Sequence, residues 1–176
     1  MTNKTTTPSP LLVVGLDRRV SRLTLRLVTY GLGNAFDPRK FEAVKNRKHT
    51  KPCGGLWASP VDCTYGWREW CESENWGDMS SRFETEYTGR TLVIDSADDL
   101  AKVMWINCHY KKYPDYEGML KLGIDAIYLT ERGERETRYT EPGLYGYDCE
   151  CVVVLNGTCL KAANVELTGR AKTPTE

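Results

Sequence analysis

Residues 147–155, Tyr147-Asp148-Cys149-Glu150-Cys151-Val152-Val153-Val154-Leu155, decide how the fold is read. The run from Cys149 to Leu155 has the β-branched, apolar character of a strand, and its continuity suggests a central position in a sheet. Side chains alternate across a strand, so Glu150 shares a face with Val152 and Val154, while Cys149 and Cys151 face the other way. A carboxylate opening an apolar strand is costly to bury unpaired. Glu150 therefore sits either in a cleft at the open end of the sheet or against a cation.

Upstream, residues 131–148 are charged and rich in Gly and Tyr, and they read as a connection. Ile124 to Thr130 reads as a strand, and Tyr116 to Leu122 as a short helix stopped by Gly123. Ser96 is an N-cap with Asp98 and Asp99 in the first turn, so a helix is expected from there, fading near Asn107. Arg82 to Thr88 and Thr91 to Ile94 read as two strands joined by a turn at Gly89. Residues 64–76 fit a helix, with Trp67, Trp70, Cys71 and Glu74 at i, i+3, i+4, i+7 spacing. Leu56 to Ser59 is a short strand stopped by Pro60. Residues 37–53 form a basic loop, with a short helix around Phe41 to Val44. Leu23 to Tyr30 alternates as a strand and ends at the Gly31-Leu32-Gly33-Asn34 turn. The elements imply an α+β fold: one central, mostly antiparallel sheet, whole or split, flanked by a few helices.

The chain has 176 residues, enough for one domain that buries roughly 70% of its unfolded surface without a metal or disulfide. Residues 1–10 and 168–176 are polar and read as flexible tails around a single domain at 11–167. No apolar run approaches the ~20 residues of a membrane span. The early run Leu11 to Leu16 is too short for a secretory leader, so a cytoplasmic protein that does not engage membranes is expected. The seven cysteines contain no C-x-x-C pair, so reduced, mostly buried thiols are expected rather than a metal site. Net charge is zero but segregated: residues 1–52 carry eleven Lys/Arg against three Asp/Glu. The densest basic stretch, Arg39 to Lys51, contains His49 and suits phosphates or nucleic acid; its simpler reading is a solvated loop.

Several features suggest chemistry. Gly54-Gly55 would let backbone approach a ligand, Trp57 would offer a stacking face, and Ser59 a hydrogen bond; the plainer reading is a tight turn beside a core Trp. Arg26 interrupts a strand, either functionally or on its solvent face. Adjacent Cys108 and His109 make a poor nucleophile pair, and no G-x-x-x-x-G-K-[ST] phosphate loop occurs.

Gly55-Leu56-Trp57-Ala58-Ser59, followed by a helix carrying Trp70-Cys71, resembles the middle motif of the ADP-ribosyltransferase superfamily. Glu150-Cys151-Val152-Val153-Val154 resembles its last motif, where a catalytic Glu opens an apolar strand. The first motif has three candidates: Arg26, Tyr30 (Tyr30-Gly31 stands where some members have His-Gly) and His49. Ala58-Ser59-Pro60 replaces the usual Ser-Thr-Ser, and Asp148 occupies the place of a second Glu. The whole also resembles small bacteriophage or prophage proteins. The resemblance implies NAD as substrate and transfer of ADP-ribose to a protein or nucleic acid, in a host cytoplasm. Glu150 would stabilise the oxocarbenium-like ribose, Trp57 would stack nicotinamide, Arg26 or the basic loop would meet the pyrophosphate, and Asp148 would position the acceptor. The competing expectation is a non-catalytic phage-type protein that binds a host protein or nucleic acid through its tryptophans and basic loop.

Overall fold

The computed structural model describes residues 20–163; the two expected tails lie outside them. Among the described residues, eight strands and three α-helices follow in order. They are β1 (Val20–Tyr30), β2 (Leu56–Pro60), α1 (Trp67–Glu74), β3 (Arg82–Ile94), β4 (Trp105–Cys108), β5 (Lys111–Pro114), α2 (Tyr116–Lys121), β6 (Ala126–Leu129), α3 (Glu131–Thr137), β7 (Cys151–Val154) and β8 (Leu160–Ala162). The mixture is α+β.

The main sheet is not an open layer. Strands run β1-β2-β7-β6-β3, and β3 pairs back onto β1, which closes a five-stranded barrel. β3 and β6 run parallel, while β1–β2, β1–β3, β2–β7 and β6–β7 are antiparallel. β8 adds to β3 outside the ring, and β4–β5 form a separate hairpin. The apolar 151–154 run is central for a physical reason. β7 has neighbours on both edges, and all four of its residues are buried.

Strand alternation sorts the core into two layers. Leu27, Leu56, Ala58, Phe83, Tyr87, Ala126, Val152 and Val154 fill the barrel. Leu92, Ile94, Ile127, Leu129, Cys151 and Val153 face outward, into a second cluster with Tyr116, Met119 and Tyr147; Trp57 and Trp67 pack against its edge.

Several local expectations are corrected. Gly89 does not turn the chain: β3 is one continuous strand, and the space beside Gly89 holds the Tyr87 phenol, which a Cβ would meet at 2.6 Å. The helix expected from Ser96 is only a 3₁₀ turn, Ala97–Lys102; the β-favouring residues after Val103 pair instead as the β4–β5 hairpin. Phe41 to Val44 is not helical, and a 3₁₀ turn precedes it at Pro38–Lys40, capped by Asp37. The expected connection at 131–148 contains α3, whose surface carries Glu131–Arg135 and Glu134–Arg138 pairs one turn apart.

Candidate functional site

A pocket of about 280 Å³ opens on the outer face of β1, β2 and the segment entering β7. Its walls are aromatic. The Trp57 and Tyr147 rings meet edge to face at 4.9 Å. Trp67, the first residue of α1, closes another side and stacks on Trp70 at 5.0 Å; both pack against Trp76, which is 58% exposed. Tyr30, Ser59, Lys51 and Asp148 supply the polar lining, and Leu32 stands at the rim.

Local chemistry fixes these positions. Ser59 Oγ accepts from the Trp67 backbone N–H at 2.8 Å and donates to the Glu150 carbonyl at 3.0 Å, so one hydroxyl ties β2 to α1 and to the entry of β7. The Glu69 carboxylate accepts from the Gly66 N–H at 2.9 Å, satisfying another donor at the start of α1. Gly55 has φ +72°, and a Cβ there would meet the Val154 carbonyl oxygen at 2.9 Å. Its lack of a side chain serves the approach of β2 to β7, not of a ligand.

Electrostatics centre on Asp148. One oxygen accepts from Lys51 Nζ at 3.3 Å and the other from Arg138 at 2.9 Å; Arg138 also pairs with Glu134 at 2.8 Å. The Lys51 ammonium lies 5.3 Å from the Trp57 ring centre and 5.7 Å from that of Trp67. It is held by two indole faces and a carboxylate. Burial, followed by the field of the Tyr116 phenol and its hydrogen bond, pushes the Tyr147 phenol well above its ordinary range, so it stays protonated.

The expected site residues divide. Tyr30, Trp57, Ser59 and Asp148 meet at this pocket. Glu150 does not. It lies one residue before β7, keeps the alternation of Val152 and Val154, and points toward the barrel interior, where the Tyr128 hydroxyl donates to it. Burial and that bond raise the Tyr128 pKa, while burial and the fields of Glu150 and Glu69 push the Cys63 thiol to about 12. Arg26 stands on the solvent face of β1, its side chain 62% exposed and paired with Glu84 at 2.8 Å. Gly55 lines a different hollow, of about 340 Å³, beside Phe41 and Phe83. His49 is exposed, its Nδ1 accepting from the Lys51 N–H at 3.3 Å. The expected convergence of Arg26, Trp57 and Glu150 in one cleft is thus corrected: the sheet separates Trp57 from Glu150, and Arg26 answers an acid on the neighbouring strand.

Tyr147 and Arg138 were not among the expected site residues, and Lys51 and Trp67 were expected only as parts of the basic loop and of a tryptophan patch. A signal for Tyr147 exists: 147, 149 and 151 share a parity, which is the Trp57 side once β2 is known to flank β7. Asp148 breaks that alternation because the chain before Cys151 is not yet strand. The basic segment is an ordered loop. Lys45 and Cys53 bridge its ends, the Asn46 side chain donates to Asp115 at 2.7 Å, and the Tyr116 hydroxyl donates to the Thr50 carbonyl. Lys45, Arg47 and Lys48 are exposed on it, without ion-pair partners among the described residues. Among the described residues no cluster of three His, Cys, Asp or Glu side chains could hold a metal, and no helix is long and apolar enough to cross a membrane.

No protein-family model matches the chain, and neither does any curated protein or solved structure.

Proposed function

We propose that the pocket takes the nicotinamide end of NAD and that the chain transfers ADP-ribose to a macromolecular acceptor, protein or nucleic acid. One observation supports this above the others. The three separated segments that resemble the superfamily's motifs each deliver a side chain to one pocket: Tyr30, Trp57 with Ser59, and Asp148. In this reading the nicotinamide ring stacks between Trp57 and Trp67. The C–N glycosidic bond breaks heterolytically, and nicotinamide leaves neutral with the bonding pair. In this reading Asp148, rather than Glu150, faces the positive charge that develops on the ribose. The acceptor's nucleophilic atom then bonds to the anomeric carbon of the ribose and loses its proton to solvent.

A second reading rests on a specific observation. Asp148 is already held by Lys51 and Arg138, and Glu150 by Tyr128, so both carboxylates are engaged. That pattern suits a pocket that binds without turnover. Transfer of labelled NAD into a cell lysate, with nicotinamide release, separates the two. Asp148→Asn is expected to lower turnover on the order of 10²–10³-fold, with Glu150→Ala much closer to wild type. The reverse order would move the chemistry to the barrel-facing carboxylate. Absence of both binding and turnover in folded wild type would leave the protein-binding reading.

A further inference from the structure

We infer that the Trp57–Trp67–Tyr147 pocket is a cation-selective cage in which Lys51 is the resident cation, displaced when a ligand bearing a positively charged ring enters. The inference deepens the nicotinamide assignment and depends on it only for the ligand's natural identity.

Occupancy by Lys51 is the first observation. Its ammonium lies within 6 Å of two indole centres and 3.3 Å from Asp148, which is the environment that rewards a cation over a neutral group of equal size. The second is charge balance. Lys51, Asp148, Arg138 and Glu134 form a linked set of two cations and two anions. If Lys51 swings out and a cationic ring takes its place, the set stays balanced. A neutral ring of the same shape would leave one anion in excess at a half-buried site. The third is the means of exit. The loop that carries Lys51 is pinned at Lys45–Cys53, Asn46 and Thr50, so its backbone need not move. The Lys51 side chain is one-third exposed, and its four-carbon stem reaches solvent by rotamer change alone. Displaced outward, Lys51 becomes available to the anionic part of a ligand whose ring lies in the cage.

The oxidised nicotinamide ring is cationic and the reduced ring is neutral, so the cage would select NAD⁺ over NADH. Quenching of tryptophan fluorescence by 1-methylnicotinamide, a cation, and by nicotinamide, its neutral relative, tests this directly. The cation is expected to bind about tenfold more tightly to the wild type. Lys51→Met keeps the aliphatic packing but removes the resident charge, and should tighten the cation several-fold while changing neutral nicotinamide little. Asp148→Asn should erase most of the preference. Equal affinity for the two rings, failure of both to bind at millimolar concentration, or NADH binding as well as NAD⁺ would each overturn the cage. Selective binding of 1-methylnicotinamide without any NAD⁺ binding would uphold the cage and overturn the transferase reading instead.

Discussion

At the scale of single residues, the two acidic positions before β7 are placed otherwise than the sequence suggests. Glu150 opens an apolar run and attracts attention as a carboxylate in a costly place. Its solution is local: the Tyr128 hydroxyl donates to it at the barrel mouth. Asp148, two residues earlier, faces the aromatic pocket. Alternation reaches back from the strand to Glu150 but fails at Asp148, where the chain is not yet strand, so the sequence pattern alone does not put Asp148 at the pocket. Trp57 and Ser59 were legible because β2 is regular and parity puts both on the outer face. The cysteines give a test at the same scale. Cys53 is exposed, whereas burial first, then Glu150 and Glu69, hold the Cys63 thiol near 12. At pH 8 its thiolate fraction is on the order of 10⁻⁴. Iodoacetamide followed by peptide mapping should modify Cys53 rapidly and spare Cys63 until the protein unfolds. Glu150→Gln should speed Cys63 only in part, since burial is the larger cause. Labelling of Cys63 at the rate of Cys53 in folded protein would contradict this account of the barrel mouth.

At the scale of elements, strands with clear alternation were readable and closures were not. β1, β2, β6 and β7 fall where apolar and β-branched residues predict them, and α1 follows from its tryptophan spacing. Barrel closure depends on pairing β1 with β3 along eleven residues while β3 also takes β6 and β8 on its other edge. That is long-range information, and Gly89 masked it by imitating a turn. α3 was missed because it has little apolar face; it is held by its cap and by packing onto the end of β3. Thr130 Oγ1 accepts from the Gly133 N–H at 3.1 Å, and a Cβ on Gly133 would lie 2.1 Å from the Ile94 carbonyl oxygen. Backbone oxygen cannot yield as a flexible side chain does. Gly133→Ala should therefore lift α3 from β3 despite alanine's better helix propensity, at a cost of about 2 kcal/mol. The expected fall in Tm is on the order of 4–8 °C for a domain of this size. Because Arg138 follows α3 and holds Asp148, the same variant should also weaken ligand binding in the aromatic pocket. A Tm that rises, as propensity alone predicts, would show that α3 is not seated by this contact.

At the scale of the molecule, buried phenols link both core layers to the solvent's pH. Tyr87 lies inside the barrel, Tyr116 and Tyr147 in the outer cluster with their hydroxyls 2.6 Å apart, and Tyr128 at the barrel mouth. Burial is the main cause raising the pKa of all four. A group whose folded pKa is raised keeps its proton longer in the folded chain than in the unfolded one. Its contribution to stability is full below the unfolded tyrosine value of about 10 and declines as pH rises above it, because the unfolded chain then releases protons that the fold retains. Stability should be nearly level from pH 8 to about 9.5 and fall steeply beyond, with the barrel and the outer layer lost together. Melting temperature followed across pH 8–12, with phenolate absorbance near 295 nm, checks both parts. The phenols of Tyr87, Tyr116, Tyr128 and Tyr147 should titrate only as the fold is lost. Tyr116→Phe should shift the alkaline transition upward if its loss of the Tyr147 partner is tolerated, and Tyr128→Phe should do so without touching the outer layer. Titration of these four phenols near pH 10 with the fold intact would mean that water reaches both layers, and with it the Tyr147 wall of the aromatic pocket.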